Sequence, residues 1–236
     1  MARSVDPTPP DEPNGAETTP RSTNLEPRLS RAGVGRLSLY LRRLEGLLKE
    51  GRQRVSSSVL GESIGVTDAQ VRKDLASLGP LGQPGIGYDT GELTAAIRRT
   101  LGIDREWRVA LVGAGNLARA LLGYKGFIER GFHIVALFDI ATDKLTAPLN
   151  GMEVNPLSRL SEIVANTRAE LGVLAVPVEA AQDVTNQLVA AGIRGVLNFA
   201  PTMLRVPPHV RVVTVDLTVQ LEQLAFLVQT GRLPQE

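Results

Sequence analysis

Arg108-Val-Ala-Leu-Val-Gly-Ala-Gly-Asn-Leu-Ala118 is the stretch that decides the fold. An apolar run ends in Gly113, a second glycine follows at Gly115, and small Ala118 takes the third position of the pattern. That reads as a buried strand, a glycine turn and the start of a helix. The next apolar run, 134–139, ends on Asp139. Together these make a βαβ unit of the dinucleotide-binding kind. Gly113 permits the sharp turn. Gly115 has no Cβ to block a pyrophosphate, which would rest on the helix N-terminus, and Ala118 lets helix and strand pack closely. Asp139 would accept hydrogen bonds from the adenosine ribose. Its charge disfavours a 2′-phosphate, which points to NAD(H) rather than NADP.

Downstream the pattern keeps alternating. Strands are expected at 108–113, 134–139, about 152–154, 171–176, 195–199 and 211–215, with helices near 117–130, 157–168 and 179–191. Such alternation implies a doubly wound parallel sheet, an α/β Rossmann fold. Leu217, Leu221, Leu224 and Val228 then form one stripe of a final amphipathic helix, 217–230. No strand follows to cover it, so it packs on its own sheet or on a second subunit.

Upstream, Leu37, Tyr40, Leu41, Leu44, Leu47 and Leu48 recur at helical spacing over 36–49, and Gly51 ends that helix. Ser56–Ser58 offer N-caps for a second helix closed by Gly65. A third starts at Thr67, with Gln70 at capping-box spacing and Val71, Leu75 and Leu78 on its apolar face. Gly79-Pro-Leu-Gly-Gln-Pro-Gly-Ile-Gly-Tyr88 suits a tight β-hairpin. Three short helices and a hairpin make a winged helix-turn-helix. Gln70, Arg72, Lys73 and Ser77 lie off the third helix's apolar stripe, where Arg or Gln can reach base edges and Lys a phosphate. The expected organisation is a disordered Pro- and Thr-rich tail (1–30), a winged-helix domain (31–90), a linker helix (91–106, with 94–101 its apolar core), a Rossmann domain (107–215) and a C-terminal helix (216–236).

Charge supports this division. The chain carries a net +1, but residues 31–88 hold nine basic and five acidic groups, as expected of a segment that meets phosphates. There are no cysteines, which excludes disulfides, thiol chemistry and cysteine-bound zinc. No apolar run approaches a membrane span and no signal peptide is legible, so the expected address is the cytoplasm, with no membrane partner. The two histidines, His133 and His209, have no acid beside them in sequence to orient a hydride-transfer acid, and no cluster suggests a metal. A dinucleotide fold with no catalytic residue fits a sensor better than an enzyme. The alternatives are an NAD-dependent oxidoreductase with a DNA-binding-like accessory domain and a coenzyme A-binding regulator on the same sheet. Fluorescence quenching at Trp107 would separate these ligands if its indole lies near the site.

Gln70-Val-Arg-Lys-Asp-Leu75, Gly85-Ile-Gly-Tyr88, Val112-Gly-Ala-Gly-Asn-Leu-Ala118, Phe138-Asp139, Val176-Pro177 and Leu197-Asn-Phe-Ala-Pro201 together resemble the Rex family of redox-sensing transcriptional repressors, across nearly all of 31–232. The resemblance implies a homodimer that binds palindromic double-stranded operator DNA, senses the NADH/NAD⁺ ratio, and leaves DNA when NADH binds. It implies a C-terminal helix exchanged between subunits. Position by position, Arg72 and Lys73 would contact the operator. Gly113, Ala114, Gly115, Asn116, Leu117, Ala118 and Asp139 would hold the adenosine diphosphate, while Pro177, Asn198, Phe199, Ala200 and Pro201 would line the nicotinamide end. Asp216, Arg42 and Tyr124 match a switch in which the aspartate pairs with the arginine in one state and the tyrosine in the other. Three features depart from the family: Ala76-Ser-Leu78 replaces an aromatic pair, Gln83-Pro84 replaces a basic wing tip, and Leu217 stands where an aromatic often packs.

Overall fold

The computed structural model describes Met1 and residues 29–83, 85–141 and 148–231, so the expected tail falls almost wholly outside the described residues, as does Pro84 at the wing tip. Leu29 and Ser30, assigned to that tail from sequence, belong to the first domain. Ser30 Oγ accepts the Gly33 N–H at 3.1 Å as the N-cap of α1 (Arg31–Lys49), and Leu29 packs on the core. The helix therefore starts five residues before 36. Its first turn carries glycines and alanine, which show no periodicity, and only the serine cap marks it. Leu37, Tyr40, Leu41, Leu44 and Leu47 of α1 are buried, as the spacing requires.

After α1 come β1 (Arg54–Val55), α2 (Ser57–Ile64), α3 (Asp68–Ala76), β2 (Gly82–Gln83) and β3 (Gly87–Asp89). Ser56 caps α2, and Gly65 ends it in the left-handed region at φ 78°. Thr67 Oγ1 caps α3 by accepting the Gln70 N–H at 3.1 Å, but the other half of the expected capping box is missing. The Gln70 carboxamide turns instead to Asp74, donating its Nε2–H to Oδ1 at 2.8 Å, a charge-assisted bond. The hairpin β2–β3 gains β1 as a third antiparallel strand, in the order β1-β3-β2. A two-residue strand is too short to show alternation in sequence. Close approach of β1 explains Gly87: at φ 85°, a Cβ there would lie 2.5 Å from the Val55 carbonyl oxygen. α4 (Thr90–Thr100), capped by Asp89, begins four residues earlier than the expected 94–101 and buries Leu93 and Ile97 in the same core as α1.

The second half contains β4 (Trp107–Val112), α5 (Asn116–Leu122), α6 (Lys125–Glu129), β5 (Phe132–Asp139), β6 (Val154–Pro156), α7 (Leu160–Thr167), β7 (Leu171–Leu174), α8 (Val178–Ala190), β8 (Gly195–Asn198) and β9 (Arg211–Thr214). All six strands are parallel in the order β6-β5-β4-β7-β8-β9, so strand order reverses between β4 and β7. Ligands bind outside the strand carboxyl ends at such a reversal. Side chains alternate along β4: Ala110 and Val112 face the core under α7 and α8, while Val109 and Leu111 face α5. The single helix expected over 117–130 is two. Gly123 ends α5, and the Tyr124 ring then folds over Gly126, whose Cβ would sit 2.6 Å from it, and meets Phe127 edge-on at 5.1 Å.

The two halves meet at α1 and the start of β5. Glu45 of α1 accepts from Arg98 of α4 at 3.2 Å and from Arg130 at 2.9 Å, and Phe132 packs against both cores. Among the described residues, nothing covers the α5 side of the sheet toward β9. Val109, Ile134, Leu171, Val173, Leu197 and Val213 floor an open groove of about 680 Å³ there. The final helix α9 (Leu217–Thr230) has the bounds expected from its stripe and buries none of its residues. Leu217, Leu221, Leu224, Phe226 and Val228 are each more than half exposed.

Candidate functional site

At the carboxyl end of β4, Gly113 adopts φ 102°, and a Cβ there would lie 2.7 Å from the Ala175 carbonyl carbon and closer still to its oxygen. Only glycine lets the two strands of the reversal come this close. Gly115 is different in kind. It is extended (φ −79°, ψ −165°), and a Cβ on it would meet nothing within 4 Å. The space beside it is open, and the first backbone-bonded amide of α5 is that of Arg119, which donates to Gly115. The N–H groups of Asn116, Leu117 and Ala118 therefore precede the helix's own ladder, and no side chain caps them. Open space beside unpaired amides at a helix N-terminus fits a pyrophosphate.

Asp139 also holds the turn: Oδ2 accepts the Ala114 N–H at 2.6 Å and Oδ1 the Ala141 N–H at 2.8 Å. Each oxygen keeps a second acceptor direction for a hydroxyl. Asn198 also has another job. It is fully buried, and its amide donates to the Ala200 and Thr202 carbonyls while its oxygen accepts the Ala200 N–H at 2.9 Å. It shapes the loop after β8 instead of presenting a group to a ligand. Ala200 is buried in the sheet core and Phe199 is half-buried on the α5 side, leaving Pro201 and the α8 cap Pro177 exposed. Sequence reading passed over Ile140, Val178 and Met203, exposed apolar residues just beyond the carboxyl ends of β5, β7 and β8. Their place after strand ends is the signal that could have found them.

On α3, Lys73 and Ser77 are exposed, as is Gln83 on the hairpin. Arg72 is exposed but occupied: Asp68 accepts from it at 2.5 Å and Ser57 Oγ at 3.2 Å, so a phosphate or base must displace a carboxylate. Behind this face lies a cluster that sequence reading missed. Asp74 is 6% exposed and accepts from Arg36 Nε at 2.7 Å and Nη2 at 2.8 Å, from Tyr40 Oη at 3.0 Å and from Gln70 Nε2 at 2.8 Å. Burial pushes its carboxyl up, but the Arg36, Gln70 and Tyr40 hydrogen bonds outweigh burial and hold it below the usual range. The signal was Asp74 itself, an acid three residues after Val71 on the apolar face of its helix.

Among curated proteins, the chain is 48% identical to the redox-sensing transcriptional repressor Rex of Carboxydothermus hydrogenoformans, over 84% of this chain and 96% of that one. It is 43% identical to the Rex of Desulfitobacterium hafniense, over 87% and 98%. The chain belongs to the Rex family. Among solved structures, the Rex-family repressor RSP in complex with β-NAD⁺ and operator DNA matches with a TM-score of 0.81 at 34% identity, covering 86% of this chain and 94% of that one. RSP with β-NADH matches at 0.77 and 33%, covering 86% and 96%. The family model for a putative DNA-binding protein N-terminus covers residues 28–76, and that for a CoA binding domain covers 104–202.

The residues that match the Rex switch are only partly gathered. Arg42 and Tyr124 line the same groove, but Asp216 caps α9, accepting the Thr218 N–H at 2.9 Å and the Val219 N–H at 3.2 Å. His133 does have an acid near it, Glu106 at 3.6 Å, at the opposite end of the sheet from the glycine turn, while His209 is exposed. Trp107 is also at that far end, roughly 20 Å from Gly113 at ~3.3 Å per strand residue. Its indole donates to the Gly102 carbonyl and lies under the Arg105 guanidinium. It is therefore a poor reporter of the site. Among the described residues, no three His, Asp or Glu side chains gather as a metal would need, and no helix is long and apolar enough to cross a membrane.

Proposed function

We infer that this chain is a redox-sensing transcriptional repressor that binds operator DNA through its winged helix and reads NADH against NAD⁺ in its Rossmann half; it is not an enzyme. One observation carries the reading. In a Rex-family chain, the open cradle at Gly115 sits at a β4/β7 strand reversal, one domain away from a winged helix. Gly113, Ala114, Gly115, Asn116, Leu117, Ala118 and Asp139 would hold the adenosine diphosphate. Pro177, Phe199 and Pro201 would approach the nicotinamide, with Asn198 and Ala200 supporting them from beneath. Gln70, Arg72, Lys73, Ser77 and Gln83 would meet the operator, and the protein would act in the cytoplasm.

The working form would be a homodimer with exchanged α9 helices. A doubly wound sheet needs helices on both faces. Here the missing cover is a helix-sized apolar groove, and the unpartnered helix is α9. Exchange would also bring a partner's Asp216 toward the groove that holds Arg42 and Tyr124. Leu221→Glu should therefore turn a dimer into a monomer in sedimentation velocity and abolish palindrome binding. A variant that stays dimeric would exclude α9 from the interface.

The decisive test titrates NADH into protein bound to a palindromic operator, read by anisotropy of labelled DNA. NADH should release the DNA and NAD⁺ should restore it. DNA should weaken NADH binding, followed by NADH's own fluorescence, by the same factor. Operator affinity unchanged at saturating NADH would end the sensor reading. Release by coenzyme A instead would assign the site to that ligand, the one named by the family model over 104–202.

A further inference from the structure

The amide at Gln70 has a fixed polarity. Gln70 lies in the first turn of α3, partly exposed, at the edge of the face that carries Lys73 and Ser77 three and seven residues on. Small, exposed Ala69 and Ala76 lie on the far side of Lys73 on that face and leave room for close approach. Left to itself, a carboxamide presents either its oxygen or its NH₂ outward at equal cost. Here it cannot turn freely, because Nε2 stands 2.8 Å from Asp74 Oδ1. Asp74 takes two bonds from Arg36 and one from Tyr40, and the net effect of its surroundings is to favour ionisation, so it only accepts hydrogen bonds. Turning Gln70 around would set Oε1 against a buried carboxylate. Its oxygen is therefore the end kept off Asp74 and left for a donor on this partly exposed edge of the helix.

We propose that Asp74 is a positioning residue that holds the Gln70 carboxamide oxygen toward the major groove, so that the helix selects adenine or cytosine over guanine or thymine at one position of each half-site. Adenine N6 and cytosine N4 offer donors in that groove, whereas guanine O6 and thymine O4 are acceptors that an outward oxygen repels. The proposal rests on the operator-binding reading and adds to it the sign of one base preference and the residue that sets it.

The test is a binding map over every single-base variant of a half-site, made with wild type, Gln70→Ala and Asp74→Asn. Wild type should show an amino-over-keto preference of roughly tenfold at one position, lost in Gln70→Ala. It should also fall toward unity in Asp74→Asn, whose own amide can both donate and accept and so frees Gln70 to turn. Other positions should keep their preferences in both variants, which simple loss of stability would not allow. If Gln70→Ala removes a keto preference, or changes no position, the proposal is overturned. It is likewise overturned if a folded Asp74→Asn protein keeps the preference intact. Should that variant not fold, the sign of the preference lost in Gln70→Ala decides alone. Wild type with no palindrome affinity at all would instead overturn the operator-binding reading beneath.

Discussion

Gly113→Ala is expected to cost ~2–6 kcal/mol of stability and to abolish NADH binding, whereas Gly115→Ala should abolish binding at almost no cost in stability. Two separate penalties meet at Gly113. Its φ of 102° is a conformation that L side chains rarely adopt, worth ~1–3 kcal/mol of strain. Its Cβ would also press into the Ala175 peptide, so β4 and β7 must separate where β4 joins the sheet, at ~1–3 kcal/mol more. Against a total stability of ~5–15 kcal/mol, this is enough to leave a substantial fraction unfolded. Gly115 carries neither penalty: its extended backbone suits alanine, and the added methyl meets no protein atom within 4 Å. Reducing the unfolded chain's freedom there should even stabilise by ~0.4–1 kcal/mol. What the methyl occupies is the space proposed for the pyrophosphate. Urea denaturation and NADH fluorescence titration of both variants read the two effects separately. A Gly115→Ala protein that still binds NADH would remove the pyrophosphate from that cradle. A Gly113→Ala protein with an unchanged urea midpoint would contradict the close approach of the strands.

The same two glycines show what was legible in sequence. The motif spacing identified the turn, and the alternation of strands and helices implied the doubly wound parallel sheet. The α9 bounds followed from one apolar stripe. Reading fell short where a residue's job depends on how the backbone around it folds back. The family resemblance placed Asn198 at the nicotinamide end, but the carbonyls it satisfies, Ala200 and Thr202, fold back on it only in three dimensions. The strand-end place of Asp139 does not show its two amide partners, one in the turn and one in its own loop. The break between α5 and α6 left no clear trace, since Gly123 alone does not end a helix and the Tyr124 ring stacked over Gly126 is a tertiary contact. Arg72 showed its charge in the sequence. Its pairing with Asp68, four residues back, could have been read from helix spacing.

Asp74→Ala should destabilise the protein by ~3–5 kcal/mol at neutral pH, because it removes the buried carboxylate to which Arg36 and the Tyr40 hydroxyl both donate. The pair itself need not be a net gain over apolar packing, and a double variant such as Arg36→Met with Asp74→Leu should recover much of the loss. The pH dependence separates this account from a mere packing defect. Asp74 has its carboxyl held below the ordinary range in the folded state, so the unfolded chain takes up the proton first as pH falls. Its contribution is complete above the unfolded value of ~3.9 and drains away as pH drops through the folded one. The gap between wild type and Asp74→Ala should therefore be widest near neutrality and shrink below about pH 4. Tyr40 sets the opposite limit. Burial first, then its bond to Asp74, pushes its phenol well above the ordinary range. Stability from the neutral phenol is complete below about pH 10 and declines as pH rises beyond it. Urea midpoints of wild type and Asp74→Ala across this range would show both limbs. A gap that stays constant between pH 7 and pH 3 would mean that the carboxylate is not what the Arg36–Tyr40 site holds.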